Sequence, residues 1–220
     1  MTDEVEETPA VEGAASTDPL VIRSLDFLGP MALATGWRPE LKLPEVAFAG
    51  RSNVGKSSLL NKLVKRKAFA RVSKTPGRTR EINFFAVNGT FVLVDLPGYG
   101  YARISKGRRA EWRPLIEEYL KHSPALRGIV MLLDARHDPT EDDLGMIDFL
   151  GSISAPTIIA VTKIDKLRSR EREERLSSLA SAVSVDPEQL LPFSAVTGEG
   201  RDELASALVS LVEGEPWREL

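Results

Sequence analysis

A glycine-rich segment at residues 50–57 contains the residues with the clearest chemical use. It reads GRSNVGKS, which fits the pattern G-x-x-x-x-G-K followed by Ser or Thr, and it stands between an apolar run and a helical one. The glycines let successive backbone N–H groups surround phosphate oxygens at a helix N-terminus, where the helix dipole favours negative charge. In this setting Lys56 reaches the β and γ phosphates, and the Ser57 hydroxyl binds Mg²⁺. The segment therefore predicts a site for a nucleoside triphosphate.

Two acids follow apolar runs further along the chain, where the carboxyl ends of strands are expected. Asp95 opens the sequence DLPG, so its carboxylate can hold Mg²⁺ through the ion's water shell, and Gly98 can offer its N–H to the γ-phosphate. Asp165 ends the sequence TKID, and its carboxylate can accept hydrogen bonds from the N1–H and amino group of guanine, which adenine lacks. The stem of Lys163 can lie against the base. These residues favour a guanine nucleotide.

Two less regular segments are consistent with the same site. The sequence FSA at 193–195 follows the last apolar run and precedes a glycine-rich turn, so its backbone N–H groups can bind guanine O6. The polar segment 74–80 has no helical or strand period and contains Thr75 and Thr79. We expect it to act as a switch that becomes ordered when a threonine meets Mg²⁺ and the γ-phosphate, and relaxes after hydrolysis.

The elements that must position these motifs alternate between strands and helices. Apolar runs predict six strands, at residues 46–49, 82–87, 91–94, 128–133, 157–161 and 190–193. An Asn88-Gly89 turn is expected to join the second and third as an antiparallel edge hairpin. Helical periodicity is found at residues 56–64, 108–121, 142–150, 169–183 and 202–212. This order predicts an α/β fold: a doubly wound, mostly parallel six-stranded sheet with helices on both faces and ligands at the carboxyl ends of its strands.

Composition is that of a globular protein and excludes several kinds of chemistry. The 220 residues suffice for one good-sized domain, with 42% hydrophobic and 28% charged residues. The absence of cysteine excludes disulfides, thiolate metal sites and cysteine nucleophiles, and it suits a reducing cytoplasm. The apolar runs are too short to span a membrane, and the first residues lack the pattern of a secretory signal. We expect a cytoplasmic protein with no membrane partner.

Charge is distributed unevenly along the chain. The first 19 residues contain six of the 32 acidic residues and no lysine or arginine, so the remainder is mildly basic although the net charge is -3. This segment, the acidic arm, lacks the apolar periodicity needed to offset its ordering entropy and is predicted to be disordered. A solvated tail is the favoured interpretation, and an arm that shields a basic surface is the alternative. Residues 20–214 are expected to form the nucleotide-binding domain, followed by a C-terminal tail at 215–220.

These motifs together resemble those of the TRAFAC class of GTPases, and within it the bacterial EngB family, also called YihA or YsxC. The resemblance rests on PEVAFAGRSNVGKSS at 44–58, KTPGRT at 74–79, DLPGYGY at 95–101, and Trp112 with Tyr119 and Leu120, and it covers roughly residues 20–212. It implies a P-loop NTPase fold of the Ras-like G-domain type that binds GTP and hydrolyses it with Mg²⁺. It further implies a switch in assembly of the large ribosomal subunit that is required for normal cell division and septation.

The resemblance also extends to the site residues. It favours Thr79, in the family's G-R-T element, over Thr75 as the switch threonine. Family members commonly have Gln after this threonine, whereas this chain has Arg80, which adds charge without removing the metal ligand. The expected metal ligands are Ser57, Thr79 and Asp95, and the expected catalytic residues are Asn53, Lys56 and Thr79. The expected nucleotide-binding residues are Gly50, Arg51, Ser52, Asn53, Val54, Gly55, Lys56, Ser57, Ser58, Gly77, Arg78, Thr79, Asp95, Leu96, Pro97, Gly98, Thr162, Lys163, Ile164, Asp165, Phe193, Ser194 and Ala195.

Hydrolysis is expected to be slow. Ras-like GTPases position the attacking water with a glutamine directly after D-x-x-G, whereas this chain has Tyr99 there. Asn53 occupies the P-loop position that in related GTPases helps to bind a K⁺ ion, which acts where an arginine finger would. K⁺-stimulated hydrolysis is one hypothesis for Asn53, and a purely structural role in the loop is the other.

Basic residues crowd two segments that are expected to flank the nucleotide face. They are Lys65, Arg66, Lys67, Arg71, Lys74, Arg78, Arg80, Arg103, Lys106, Arg108, Arg109 and Arg113. A phosphate-bearing partner can read the GTP-bound state there, and a solvated surface is the alternative. The resemblance to the family implies that this partner is the large ribosomal subunit and its rRNA, and we expect the GTPase to be a monomer. A GTPase switch acting on a protein partner in division, and a nucleotide-binding module with negligible turnover, are the other two candidates.

Overall fold

The computed structural model describes residues 18–32, 38–39, 42–66, 81–100 and 106–218, with the backbone alone at 106–112. Seven strands lie in these ranges: β1 (Leu25–Met31), β2 (Glu45–Gly50), β3 (Ile82–Val87), β4 (Phe91–Asp95), β5 (Leu126–Asp134), β6 (Thr157–Thr162) and β7 (Leu190–Phe193). The α-helices there are α1 (Lys56–Leu63), α2 (Lys106–His122), α3 (Glu141–Ser152), α4 (Ser169–Ala182) and α5 (Arg201–Glu213). Every predicted strand and helix is present, and its ends differ from the prediction by at most two residues.

The strands form one sheet in the order β1-β3-β4-β2-β5-β6-β7. Strands β4, β2, β5, β6 and β7 are parallel, whereas β3 is antiparallel to both of its neighbours, β4 and β1. Parallel strands bring their carboxyl ends to one edge of the sheet, where ligands bind in doubly wound folds. Asp95, Asp134, Thr162 and Phe193 end four of these strands. The predicted fold class is confirmed.

The sequence predicts six strands, whereas the described residues form seven. The additional strand, β1, pairs with β3 and so takes the edge position predicted for the hairpin of β3 and β4. Strand β1 pairs with β3 and contains an irregularity between Phe27 and Gly29. Its sequence, LDFLGPM, shows no regular alternation of buried and exposed residues. Pro30 has no backbone N–H and is tolerated only where a strand has a free side. Glycine, proline and the lost alternation removed the signals by which a strand is recognised in sequence.

The sheet is covered on both faces, and β2 runs through the centre. All six residues of β2 are buried. Val46 and Phe48 belong to the hydrophobic cluster shared with α1 and α5, whereas Ala47 and Ala49 belong to the cluster shared with α2, α3 and α4. Strand side chains alternate between faces, so this division shows that helices pack on both sides. The carboxyl end of β2 is thereby held in place by the core.

Both ends of the described chain contact the domain. At the N-terminal end Asp18 contacts Lys65 and Arg201, and Leu20 is buried. At the C-terminal end Trp217 Nε1 donates to the Leu126 carbonyl oxygen at 3.1 Å. The domain boundaries at residues 19 and 214 stay predictions, and residues 1–17 lie outside the described ranges. Among the helices in those ranges, none is both long and apolar enough to cross a bilayer.

Candidate nucleotide site

The predicted phosphate loop leaves β2 at its carboxyl end and enters α1. Asn53 (φ 68°) and Gly55 (φ 110°) both have left-handed backbone conformations, which turn the chain sharply before the helix. Gly55 is the N-cap of α1 and provides no side-chain hydrogen bond to the helix. The first N–H groups of a helix lack partners within the helix, so those of α1 are available for an anion. The predicted strand, loop and helix context of this motif is confirmed.

The loop that follows β4 packs directly against the phosphate loop. The backbone N–H of Ser52 donates to the Tyr99 carbonyl oxygen at 2.7 Å, and the Ser52 hydroxyl donates to the Gly98 carbonyl oxygen at 3.1 Å. A Cβ atom on Gly98 would lie 3.2 Å from the Ser52 backbone, closer than most such contacts. Glycine at position 98 therefore permits this approach, and Ser52 links the two motifs. The sequence alone did not indicate that link.

Oxygen donors for a metal ion lie at the start of α1 and the end of β4. Ser57 is in the first turn of α1, and Asp95 ends β4 with its Oδ1 atom in contact with Lys56 Nζ. No cluster of three or more His, Cys, Asp or Glu residues in the described ranges could hold a metal ion. One hydroxyl and one carboxylate, completed by phosphate oxygens and water, suit Mg²⁺ in a nucleotide site. These residues therefore fit Mg²⁺ that arrives with a nucleotide.

A cavity of about 200 Å³ brings three predicted motifs together beside the phosphate loop. Its walls include residues of the phosphate loop and α1, of TKID and of FSA, namely Gly55, Ser58, Leu59, Thr162, Lys163, Asp165, Phe193 and Ala195. Parallel β6 and β7 are neighbours in the sheet and pair Thr162 with Phe193. This pairing explains how two motifs about 30 residues apart come to share one cavity.

Lys163 connects the predicted base motif to the phosphate loop. Its Nζ atom donates to the Asn53 carbonyl oxygen at 2.6 Å and to Asp134 Oδ2 at 2.8 Å. Asp134 also accepts two hydrogen bonds from the Arg136 side chain, each 2.9 Å long. Burial opposes ionisation of Asp134, but the hydrogen bonds from Arg136 and Lys163 hold its pKa well below the usual range. The Lys163 ammonium group is thereby fixed over the loop.

Asp165 is held by the serine of FSA. The Ser194 hydroxyl donates to Asp165 Oδ1 at 2.7 Å, and it accepts hydrogen bonds from the backbone N–H groups of Val196 and Thr197 at 3.2 and 3.1 Å. The hydrogen bond from Ser194 lowers the pKa of Asp165 despite partial desolvation. The carboxylate therefore stays ionised at neutral pH and can accept hydrogen bonds from a base.

Tyr99 stands where Ras-like enzymes have the glutamine that orients water. Its side chain is only 1% exposed and lies in the hydrophobic core, with the hydroxyl 3.4 Å from Met131 Sδ. Burial, followed by the influence of Asp143, raises the pKa of Tyr99 well above its ordinary value of 10. In this conformation the phenol is packed into the protein and is not presented to solvent at the nucleotide edge.

The apolar members of the predicted motifs pack into the core. Val54, Leu96, Ile164 and Phe193 are each 1–2% exposed, so the backbone is the main part of these residues left for a ligand, except where Phe193 also borders the cavity. The Arg51 side chain lies with its Nε atom 3.4 Å from Asp143 Oδ2, at the start of α3. The predicted contact of Arg51 with nucleotide stays a prediction.

The predicted switch and most of the predicted basic surface lie outside the described ranges. This applies to Lys67, Arg71, Lys74, Thr75, Gly77, Arg78, Thr79, Arg80 and Arg103 and to the side chains of Lys106, Arg108 and Arg109. The side chain of Trp112, which belongs to the family resemblance, also lies outside them. Their roles stay predictions. Arg113 is described, and it forms an ion pair with Glu117 at 2.7 Å one helical turn away.

Comparison with known proteins gives a consistent family. Residues 45–163 match the sequence model of a family described as 50S ribosome-binding GTPase. A protein of Gemmatimonas aurantiaca named probable GTP-binding protein EngB is 65% identical over 199 residues, which is 90% of this chain and 98% of that protein. A protein of the same name from an Exiguobacterium species is 47% identical, over 84% of this chain and 94% of the relative.

Solved structures agree with the sequence matches. The crystal structure of a probable GTP-binding protein engB superposes with a TM-score of 0.64 at 26% identity, over 76% of this chain and 98% of that one. Aquifex aeolicus Era, in a variant bound to GDP and aluminium fluoride, superposes with a TM-score of 0.60 at 25% identity, over 81% of this chain and 60% of that one. With the site geometry and the 65% identical relative, these matches show that the chain belongs to the EngB family of GTP-binding GTPases.

Proposed function

We propose that this chain is a slow, Mg²⁺-dependent GTPase that acts in the cytoplasm as a monomeric switch in assembly of the large ribosomal subunit. Cell division and septation would depend on that assembly. The observation that carries the ribosomal part is the match of residues 45–163 to a family described as 50S ribosome-binding GTPase. The cations Lys62, Lys65 and Arg66 support it, because they lie at the end of α1 and directly after it, on the helix whose start is the candidate phosphate site, and Lys65 and Arg66 are exposed.

The proposed roles follow the contacts in the site. The α1 N-terminus and Lys56 bind the β and γ phosphates, while Asp165 and the FSA backbone bind guanine. Ser57, Asp95 and Thr79 would hold Mg²⁺, which when bound neutralises charge on the phosphate oxygens. Lys56 forms an ion pair with Asp95 in this structure. When nucleotide and metal bind, Lys56 would pair with phosphate and Asp95 with Mg²⁺ instead. Loss of the γ-phosphate would then change the contacts of Asp95 and Gly98, and Gly98 contacts Ser52 of the phosphate loop.

Slow turnover is supported by the burial of Tyr99, since no amide at that position orients the attacking water. We propose that K⁺ near Asn53 supplies part of the missing stabilisation. The Asn53 backbone carbonyl is held by Lys163, while its side chain is exposed at the nucleotide edge. Single-turnover GTP hydrolysis should therefore be faster in KCl than in NaCl. Equal rates in the two salts would leave Asn53 with a purely structural role.

Depletion of the protein in its host tests the ribosomal role directly. We expect sucrose gradients of depleted cells to show fewer mature large subunits and an accumulation of large-subunit precursors. Expression of the wild-type chain should restore the profile, whereas the Lys56→Ala variant should not, because it lacks the phosphate-binding ammonium group. A normal subunit profile in depleted cells with a division defect would contradict the ribosomal role and favour a protein partner in division.

A further inference from the structure

A second, larger cavity lies beside the base cavity. This groove, of about 900 Å³, is bordered by α1 and the residues after it on one side and by the segment that joins β7 to α5 on the other. The groove and the base cavity share Ser58, Ala195 and Val196 as wall residues. A ligand in the groove would therefore border the candidate nucleotide site, with which the groove shares Ser58 and Ala195.

The groove is predominantly cationic. Lys62, Lys65 and Arg66 border it, and no acidic side chain in the described ranges forms an ion pair with Lys62. The Lys62 side chain extends toward the opposite wall, because a Cβ atom on Gly198 would lie 3.0 Å from its Cε atom. The acidic wall residue, Asp202, is already paired with Arg201 at 2.8 Å. Lys65 is likewise paired with Asp18, so the positive charge that the groove has to offer an acidic ligand is that of Lys62 and Arg66.

The described chain begins at this groove. Asp18 Oδ2 lies 2.6 Å from Lys65 Nζ, and Asp18 Oδ1 contacts Arg201 Nη1, so the first described residue is bound to two wall residues. Arg201 is buried and donates through Nη2 to the carbonyl oxygens of Leu20 and Leu63, both at 2.9 Å. These bonds fix the point from which residues 1–17 extend, at the wall of the groove.

The composition of residues 1–17 complements the groove. This part of the acidic arm contains no lysine or arginine. Its five acidic residues are Asp3, Glu4, Glu6, Glu7 and Glu12. Seventeen residues can extend about 55 Å, so even a chain that folds back at Asp18 is long enough to reach across the groove. The arm also has Val5 and Val11, which can contact Val196, a wall residue that is 73% exposed.

We propose that residues 1–17 dock in this groove of the same chain, with their carboxylates against Lys62 and Arg66, beside the ion pair of Lys65 with Asp18. The docked segment would cover cations that a phosphate-bearing partner also needs, so such a partner must displace it. Attraction between exposed charges is screened by salt, which makes docking weak and reversible at high ionic strength. The docking concerns the free chain and does not depend on the proposed ribosomal function.

A spin label on the arm tests the docking. Because the chain has no cysteine, a Thr8→Cys substitution gives a single attachment point for a nitroxide in the full-length protein. At low salt we expect the amide NMR signals of Asn61, Lys62 and Val196 to lose intensity, while those of α3, which packs on the other face of the sheet, keep theirs. The loss should become smaller in about 1 M NaCl, where the screening length is about 3 Å, and only the effect of an undocked label tethered at Asp18 should remain. Unattenuated groove signals at low salt would overturn the proposal.

Paired variants separate docking from general charge. Lys62→Glu with Arg66→Glu should restore the groove signals, whereas the control pair Arg168→Glu with Arg170→Glu, at positions with side chains 73% and 76% exposed, should leave the loss unchanged. If both pairs of substitutions restored the groove signals equally, the arm would be responding to overall charge and not to this groove, and the proposal would be wrong. A loss that appears when a labelled, isotope-free chain is mixed with an unlabelled, enriched chain would identify a second copy as the occupant and reject docking within one chain. No ribosome is present, so failure here leaves the ribosomal proposal untouched.

Discussion

Asp165 and Ser194 show how single residues of two motifs depend on each other. The Ser194 hydroxyl is fully buried and bonded on three sides, so it holds one carboxylate oxygen of Asp165 in a fixed position. The lowered pKa of Asp165 keeps the carboxylate an acceptor at neutral pH. Guanine presents two donors on one edge, which is the pattern that such a carboxylate can bind.

Asp165→Asn should change which base is bound. An amide keeps one acceptor but replaces the other by a donor, so it suits the C2 carbonyl of xanthine better than the amino group of guanine. We expect GDP affinity to fall about 10- to 100-fold and the preference to move toward xanthosine diphosphate. Competition against a fluorescent guanine nucleotide measures both effects.

Asp148 is an exposed residue on α3 and provides the matched control for Asp165. The Asp148→Asn variant should bind GDP as the wild type does. An equal loss of affinity for both diphosphates in the Asp165 variant would show that the residue supports the fold and does not read the base.

Residues of this site differ in how far sequence predicts them. Asp95 and Asp165 belong to short motifs placed after apolar runs, and both lie where those runs predicted. Asp134 was missed, although it follows the apolar run 128–133 in the same way and is the partner of Lys163. No short motif surrounds it, and its importance comes from the pairing of β5 with β6, which places Asp134 opposite Thr162.

At the scale of elements, a buried carboxylate connects the central strand to a helix. Glu45 opens β2, is 6% exposed, and accepts hydrogen bonds from the Tyr119 hydroxyl at 2.8 Å and the Ser123 hydroxyl at 2.7 Å. Burial raises the pKa of Glu45 above its ordinary value of 4.5, and the two hydrogen bonds only partly oppose that rise. The link positions β2, and hence the phosphate loop at its other end, against α2.

The raised pKa of Glu45 predicts how stability depends on pH. The folded chain binds this proton more tightly than the unfolded chain, so the contribution of Glu45 to the free energy of unfolding falls as pH rises above 4.5 toward the folded pKa. Glu45→Gln keeps an acceptor for the two hydroxyls and cannot ionise. Its free energy of unfolding should therefore decline less than that of the wild type over this range, as measured by urea titration at several pH values.

Glu188→Gln, at an exposed position, should keep the wild-type dependence on pH. A parallel pH profile for wild type and Glu45→Gln would contradict the raised pKa of Glu45.

The elements were predictable where burial is periodic and not where it is irregular. Helices with an apolar face and strands with buried runs appear in the sequence as regular spacing, which is why α5 and β6 were found. Strand β1 carries Gly29 and Pro30 and is held to the domain mainly by its pairing with β3. The partners of β1 in this pairing lie more than 50 positions away in sequence. A local sequence pattern therefore cannot predict the strand.

At the scale of the whole molecule, the sheet brings four sequence motifs to one edge, and charge is arranged around that edge. The phosphate loop, DLPG, TKID and FSA all follow parallel strands, so the fold alone is enough to assemble them. The cationic groove lies next to this site, and Asp18, near the end of the acidic arm, contacts its wall. Sequence predicted the uneven charge but not the groove, because α1 and the segment before α5 meet only in the folded protein.

Calorimetric titration of the full-length chain with GDP and with ADP, each in the presence of Mg²⁺, tests the guanine-nucleotide site most directly. If the Asp165 carboxylate accepts hydrogen bonds from the two donors of guanine, GDP should bind at least about 100-fold more tightly than ADP. Removal of Mg²⁺ with a chelator should weaken triphosphate binding more than diphosphate binding, because the triphosphate carries more negative charge for the ion to neutralise. Equal affinities for GDP and ADP would contradict the account.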